Sequence, residues 1–274
     1  MSSAIEAIAD YQVEAYNTSK DSDNKIHDDT VAKKFGFSGG LVPGVDVYAY
    51  LSHPAAECWG EDFLTRGSAD CRLLLPVYDG ATATVSAKPV AGDDNAMTIT
   101  VESAGQLCAT GTARLHDAAP ALPDLADFPT APLPENRPPA SPESLPTGGM
   151  LGTYELCLDE KTMAGYLADV RETLPLYGDA GLIHPGMISR FGNRALAGSV
   201  VLGPWIHVGS DIQFFSPAKV GETVSVRARV TNNYERKGHL FVQMDAVVPA
   251  GGERVVARID HTAIYEPRQV RAAE

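Results

Sequence analysis

One short pattern occurs twice in this chain, 141 positions apart, and it limits the possible folds more than any other feature. In residues 70–85, Asp70, Pro76, Gly80, Thr82 and Val85 match Asp211, Pro217, Gly221, Thr223 and Val226 of residues 211–226. The apolar positions between them are kept as well, with Leu73 and Leu74 where the second copy has Phe214 and Phe215. Upstream, Gly40-Leu41-Val42 echoes Gly181-Leu182-Ile183 at the same offset, and Gly44 matches Gly186 one residue further on. Two blocks that hold nearly one spacing argue for a duplicated domain. A copied scaffold need not carry copied chemistry, so function is to be sought where the copies differ.

A chain of 274 residues accommodates two such units, each of roughly 110–130 residues and able to bury its own core. The 44% hydrophobic and 21% charged residues describe an ordinary globular protein. No run approaches the ~18–20 apolar residues of a membrane helix, and no basic-then-apolar leader opens the chain. A net charge of −13 without a basic stripe argues against nucleic acid or an anionic membrane as partner. Cys58, Cys71, Cys108 and Cys157 form no CxxC pair and no metal-like spacing. They are expected to be reduced, buried thiols of a cytoplasmic protein.

Residues 117–149 carry nine prolines, which remove backbone donors and fix φ, so this stretch is expected to be an extended connector over the surface. It divides the chain into 1–116 and 150–274. In the first part a strand is expected at 11–16 and a short helix at 28–35. A long apolar helix follows from Val45, with Val47, Tyr48, Leu51 and Ala55 at helical spacing. Period-two strands follow at 71–75, 81–88, 97–103 and 108–115. The second part repeats the order, with a strand at 154–158, helices at 161–170 and 187–196, and strands at 208–215, 223–231, 240–248 and 254–265. One main helix against one curled antiparallel meander, built twice, is an α+β architecture. Edge-to-edge pairing of the two sheets would remove two exposed strand edges.

Chemistry-bearing residues concentrate in 21–44: Ser22, Asp23, Asn24, His27 and Asp29, then Ala32, a glycine-rich loop, and Pro43-Gly44. This stretch resembles the hydratase signature of MaoC-like dehydratases and (R)-specific enoyl-CoA hydratases, with Asn24, His27, Asp29, Ala32 and Gly44 falling onto it. Pro76…Gly80 is similar to the family's strand turn, and Pro217…Gly221 repeats it. The resemblance implies a tandem (double) hotdog fold acting on acyl thioesters, with no cofactor and no metal. The sequence departs from the signature in three places. Ser22 stands where the family has its catalytic aspartate, flanked by Asp21 and Asp23. Lys25 replaces a proline, and Pro43 replaces the histidine before Gly44, whereas the second copy does have His184 before Pro185-Gly186.

Adding water across an enoyl thioester needs a group that takes a proton from water and delivers one to Cα, which an imidazole near neutral pKa can do. Free N–H groups at a helix N-terminus stabilise the charge that develops on the thioester oxygen. By resemblance, His27 is the general acid/base, Asn24 orients it or the water, Asp23 or Ser22 stands beside it, and Gly44 and Val45 supply the oxyanion donors. Tyr48 is expected to line the acyl pocket, and Lys33, Lys34, Arg190 and Arg194 are, by sign alone, the candidates to meet the thioester carrier's phosphates. The same residues also fit a second role, with Asp and Asn in 21–24 capping the helix that follows and His27 bonded to a backbone carbonyl.

The second copy has Ala168-Asp169 where His27 would recur, so it is expected to be a degenerate hotdog that shapes the pocket. His184 heads its main helix, where the N-terminus disfavours an imidazolium, and joins the candidates. His207, leading into a strand, is expected to be structural. Three functions remain open: a hydro-lyase, a hotdog enzyme of altered chemistry (thioesterase, isomerase or lyase), and a binder of a hydrophobic small molecule. Association of two chains is left open as well.

Overall fold

The computed structural model describes residues 8–20, 22, 24–34 and 37–271. Strand β1 (Tyr11–Glu14) leads through a polar loop into helix α1 (Asp29–Lys34), then α2 (Gly44–Trp59) and α3 (Glu61–Arg66). The meander β2 (Gly67–Leu73), β3 (Thr82–Val90), β4 (Asp93–Ser103) and β5 (Gln106–Leu115) completes the first copy. The second runs β6 (Tyr154–Cys157), α4 (Glu160–Asp169), α5 (Pro175–Gly178), α6 (Pro185–Ser199), β7 (Ile206–Phe214), β8 (Thr223–Arg236), β9 (His239–Ala250), β10 (Arg254–Glu266) and α7 (Arg268–Arg271).

All ten strands join one antiparallel sheet in the order β1-β3-β4-β5-β2-β7-β10-β9-β8-β6. The two five-strand halves of this order correspond strand for strand, and they meet edge to edge at β2 and β7 as the edge-pairing expectation requires. At that junction Asp70 lies opposite Asp211. The two copies of one residue face each other, which is what a pseudo-twofold axis through the junction demands. The equivalence extends outward: Leu41 bridges Tyr78 and Leu182 bridges Lys219, both pairs displaced by 141. The expected helices and strands recur with boundaries shifted by a few residues, and α3, α5 and α7 are additional.

Helix α2 is buried over most of its length, from Val45 to Ala56, as an apolar helix enclosed by a curled sheet must be. It packs against α6, where Gly186 lets the backbones approach: a Cβ there would stand 2.5 Å from that of Ala49. Asp46 and Arg190 form an ion pair across the crossing at 2.7 Å, with Asp46 fully buried. The proline-rich stretch is anchored rather than loose. Phe128 packs with Val247 and Val255 on the sheet under the guanidinium groups of Arg229 and Arg258, and Leu145 is fully buried. All four cysteines are free thiols, but Cys58 and Cys157 are exposed, against expectation, because each lies at an outward position near the end of its element.

Candidate active site

A cavity of about 290 Å³ opens where the loop before α2 meets the ends of β2 and β7. Leu73, Leu74, Leu75, Val77, Val208 and Ile264 give it apolar walls. Its polar atoms come from both copies: Asn24 and His27 from the first, Asn193 and His207 from the second.

His27 sits at the end of a short 3-10 turn (Lys25–His27). Its carbonyl accepts from the Asn17 amide at 2.9 Å, and its Nδ1–H donates to the Leu41 carbonyl at 2.8 Å. That bond fixes the tautomer, leaving Nε2 as an unprotonated acceptor in the neutral ring. Burial pushes the imidazole below its ordinary pKa against the opposing pull of the Leu41 carbonyl, so the ring is a neutral base at pH 7. Capping of α1 falls instead to Asp28, whose carboxylate accepts from the N–H groups of Thr30 and Val31 at 2.9 and 3.0 Å.

Helix α2 begins at Gly44 behind Pro43, and no side chain caps it. Asp46 and Val47 already bond back to the Pro43 carbonyl, while the N–H groups of Gly44 and Val45 have no acceptor among the described residues. Such orphan donors at a helix N-terminus are an anion site in waiting. Gly44 is required sterically: a Cβ here would fall 2.3 Å from Leu73 Cδ1 and 2.8 Å from His207 Nδ1.

The second copy treats the same terminus differently. His184 N-caps α6, its Nδ1 accepting from the Gly186 N–H at 3.0 Å, while Nε2–H donates to Glu172 at 3.2 Å. Glu172 also takes His53 Nδ1 at 3.0 Å, and these two hydrogen-bonded imidazoles hold its carboxyl well below the usual range against the opposing effect of burial. Tyr11 stacks on His53 at 3.7 Å. His184 is fully buried in this assembly and does not line the cavity, which corrects its expected catalytic role.

Other expected residues are placed as follows. The Asn24 side chain spends both ends on the Trp205 backbone, donating to its carbonyl at 3.0 Å and accepting its N–H at 3.3 Å. It therefore clamps the two copies together at the cavity rim rather than orienting His27. Ser22 donates to the Asn24 carbonyl at 3.4 Å; it lies outside the apolar cavity but lines a second one that it shares with His27. Asp23 and the Lys34 side chain lie outside the described residues. Tyr48 is 0% exposed, in the core under Ala69 rather than in the pocket; the α2 residues that line the cavity are Gly44 and Val47. Arg190 lines that second cavity, with its guanidinium also bonded to Asp46 and Thr18.

Sequence reasoning missed Asn193 and His207. His207 belongs to a buried polar trio: its Nε2 lies 2.9 Å from Ser210 Oγ, which lies 2.9 Å from His261 Nδ1, and the two rings stack at 4.3 Å. Burial pushes the His207 imidazole down to about 4, and burial together with the neighbouring ring pushes His261 lower still. The second cavity, of about 480 Å³, shares Asn24, His27, Pro43, Asn193 and Trp205 with the first and adds Arg137 and Arg194. His27 thus stands between an apolar chamber and a basic mouth. No cluster of metal-ligating side chains occurs among the described residues.

No family profile matches the chain, and no curated protein matches it in sequence. Solved structures match its fold. A MaoC-like dehydratase superposes with a TM-score of 0.60 at 16% identity, over 96% of this chain and 100% of its own. A Mycobacterium tuberculosis protein with a double hotdog fold gives 0.61 at 12% identity, over 93% and 95% of the two chains. A protein from Novosphingobium aromaticivorans assigned as a thioesterase gives 0.53 at 12% identity, over 83% and 89%. The chain is a double hotdog, similar in fold to MaoC-like dehydratases over nearly its whole length.

Proposed function

We propose that this protein hydrates enoyl thioesters, or runs the reverse dehydration. The reading is carried by one observation: an Nε2 acceptor on His27 shares a cavity with the uncapped N-terminus of α2. The acyl chain occupies the apolar chamber, and the thioester oxygen takes the N–H groups of Gly44 and Val45. Neutral His27 removes a proton from water as oxygen bonds to Cβ. The π pair moves onto the thioester as an enolate, and the imidazolium returns the proton to Cα. A carrier with phosphates, such as coenzyme A, fits the sign of the mouth with Arg137 and Arg194. The chemistry calls for no cofactor and gives no role to nucleic acid or membrane.

Crotonyl-CoA supplies the test. Loss of the conjugated enoyl absorbance is expected with the wild-type chain, and His27→Ala should lower kcat by about 10²–10⁴-fold, the usual worth of a positioned acid/base. No turnover at high enzyme concentration removes the hydratase reading. Hydrolysis is the second reading, favoured by the likeness to the thioesterase-assigned structure and by Ser22 at the carboxylate position; free thiol release from the same substrate would reveal it.

A further inference from the structure

We infer that the acyl group taken by this site is a hydrocarbon chain longer than the apolar chamber, which it crosses and leaves over Leu74 and Leu75. This rests on the reaction proposed above, which sets the thioester beside His27.

The chamber and the basic mouth share Asn24, His27, Pro43, Asn193 and Trp205. A thioester at His27 therefore sends its carrier into one and its acyl chain into the other. No Asp, Glu, Lys or Arg lines the chamber. A carboxylate or amine on the chain would lose its hydration there without gaining a charged partner, so the lining selects hydrocarbon. The wall follows Leu73 to Val77 without a break, and within it Leu74 and Leu75 are 46% and 45% exposed. The chamber thus reaches the surface along this pair instead of ending against the core. At about 30 Å³ for a group the size of water, the four carbons of a crotonyl group take up less than half of its 290 Å³. A short chain leaves the outer part wet against apolar walls.

The surface around the exit is apolar as well. The N–H groups of Leu74 and Leu75 both donate to the Cys108 carbonyl, at 2.8 and 3.1 Å, which brings Leu107, also exposed, alongside them. Val208 and Ile264, half-buried on strands of the second copy, continue the chamber wall. Single exposed leucines are ordinary, whereas neighbouring ones beside a cavity mark a binding surface. Continuity with the chamber that holds His27 argues for the acyl tail as occupant, and a net charge of −13 argues against an anionic membrane. A second copy of the chain is the occupant that the test has to separate.

The test is a chain-length series read by turnover and by binding. At about fourfold per buried methylene, kcat/KM for trans-2-octenoyl-CoA should exceed that for crotonyl-CoA by about 10²-fold. Trans-2-dodecenoyl-CoA, below its micellar concentration, should do at least as well as the octenoyl substrate. Dodecanoyl-CoA, which has no double bond to hydrate, should bind at least about 10²-fold more tightly than butanoyl-CoA in calorimetric titration. Leu75→Asp puts a charge at the exit and should lower both long-to-short ratios by about tenfold or more; a folding defect would lower both members of each pair together. Dodecenoyl turnover falling below octenoyl, or ratios unchanged in Leu75→Asp, overturns this inference and leaves the reaction standing. Unchanged ratios with a dimer dissociating into monomers would assign the leucines to a second copy. Tight dodecanoyl binding that Leu75→Asp weakens, with no enoyl-CoA turned over, keeps the path of the chain and removes the reaction. Equal binding of the two saturated thioesters with no turnover overturns both.

Discussion

At the scale of single residues, glycine 44 does more than the imidazole it serves. It is the first residue of α2, the source of an orphan N–H, and the point where the helix packs directly on Leu73 and the His207 ring. Gly44→Ala is therefore expected to cut kcat/KM by about 10²-fold or more, since one misplaced oxyanion donor alone costs that much. The melting temperature should fall modestly as well, because Leu73 Cδ1 can swing aside but the buried His207 ring, 2.8 Å from the added Cβ, has to shift. Kinetics with crotonyl-CoA beside a thermal melt would check it; unchanged kcat/KM removes the α2 terminus from the mechanism. Only part of this detail was legible in the sequence. That His27 and Gly44 would share one cavity was legible because their spacing belongs to a local motif. The place of His207 was not, since it is 180 positions from His27 and meets it only through the β2–β7 junction. Asn24 was found but misassigned: its partner is a backbone group of Trp205, which carries no side-chain signal.

At the scale of elements, the repeat predicted the strands well because period-two alternation and the Pro-to-Gly turn are both local. It could not show what happens where the copies touch. Asp70 faces Asp211, Asp211 faces Asp260, and Asp260 faces Asp245, so four carboxylates cross the sheet in one row. Asp245 is relieved by Arg229 and Arg258, and Asp70 accepts the Thr112 N–H at 3.0 Å. Asp211 has neither kind of partner among the described residues, and burial together with Asp70 and Asp260 pushes its carboxyl up. Like charges directly opposite destabilise a sheet by a few tenths to about 1 kcal/mol per pair. Asp211→Asn should accordingly raise the denaturation midpoint at pH 7 by the equivalent of about 0.5–1 kcal/mol, an unusual gain for a substitution at a repeat-matched residue. A lower midpoint would show that the ionised row is stabilising.

For the molecule as a whole, acid response follows from its buried histidines. The folded pKa of His207, about 4, lies below the ordinary 6.5, so between those values the unfolded chain binds a proton that the folded chain refuses. Stability therefore falls as pH drops from about 6.5 toward 4, by about 2 kcal/mol at pH 5 for this ring alone. His27 and His261 act in the same direction. The raised carboxyls of Asp70, Asp211 and Asp260 act oppositely, but only nearer their own lower range. Guanidinium midpoints at pH 7.5 and 5.0 should differ accordingly; equal midpoints would mean that the rings are already solvated. Overall architecture was the most legible level, because duplication plus a signature names a double hotdog, whereas the burial that sets these pKa values arises only when both copies close.

The imidazole cap on α6 has a consequence for counting. A symmetric pair of hotdogs would offer two equivalent helix termini, but His184 occupies one of them from within, backed by Glu172 and His53. Under the proposed reaction, that cap closes the second terminus to a thioester. Calorimetric titration with a 3-hydroxyacyl-CoA should therefore saturate at one equivalent per chain, and a stoichiometry of two would mean that the His184 plug opens.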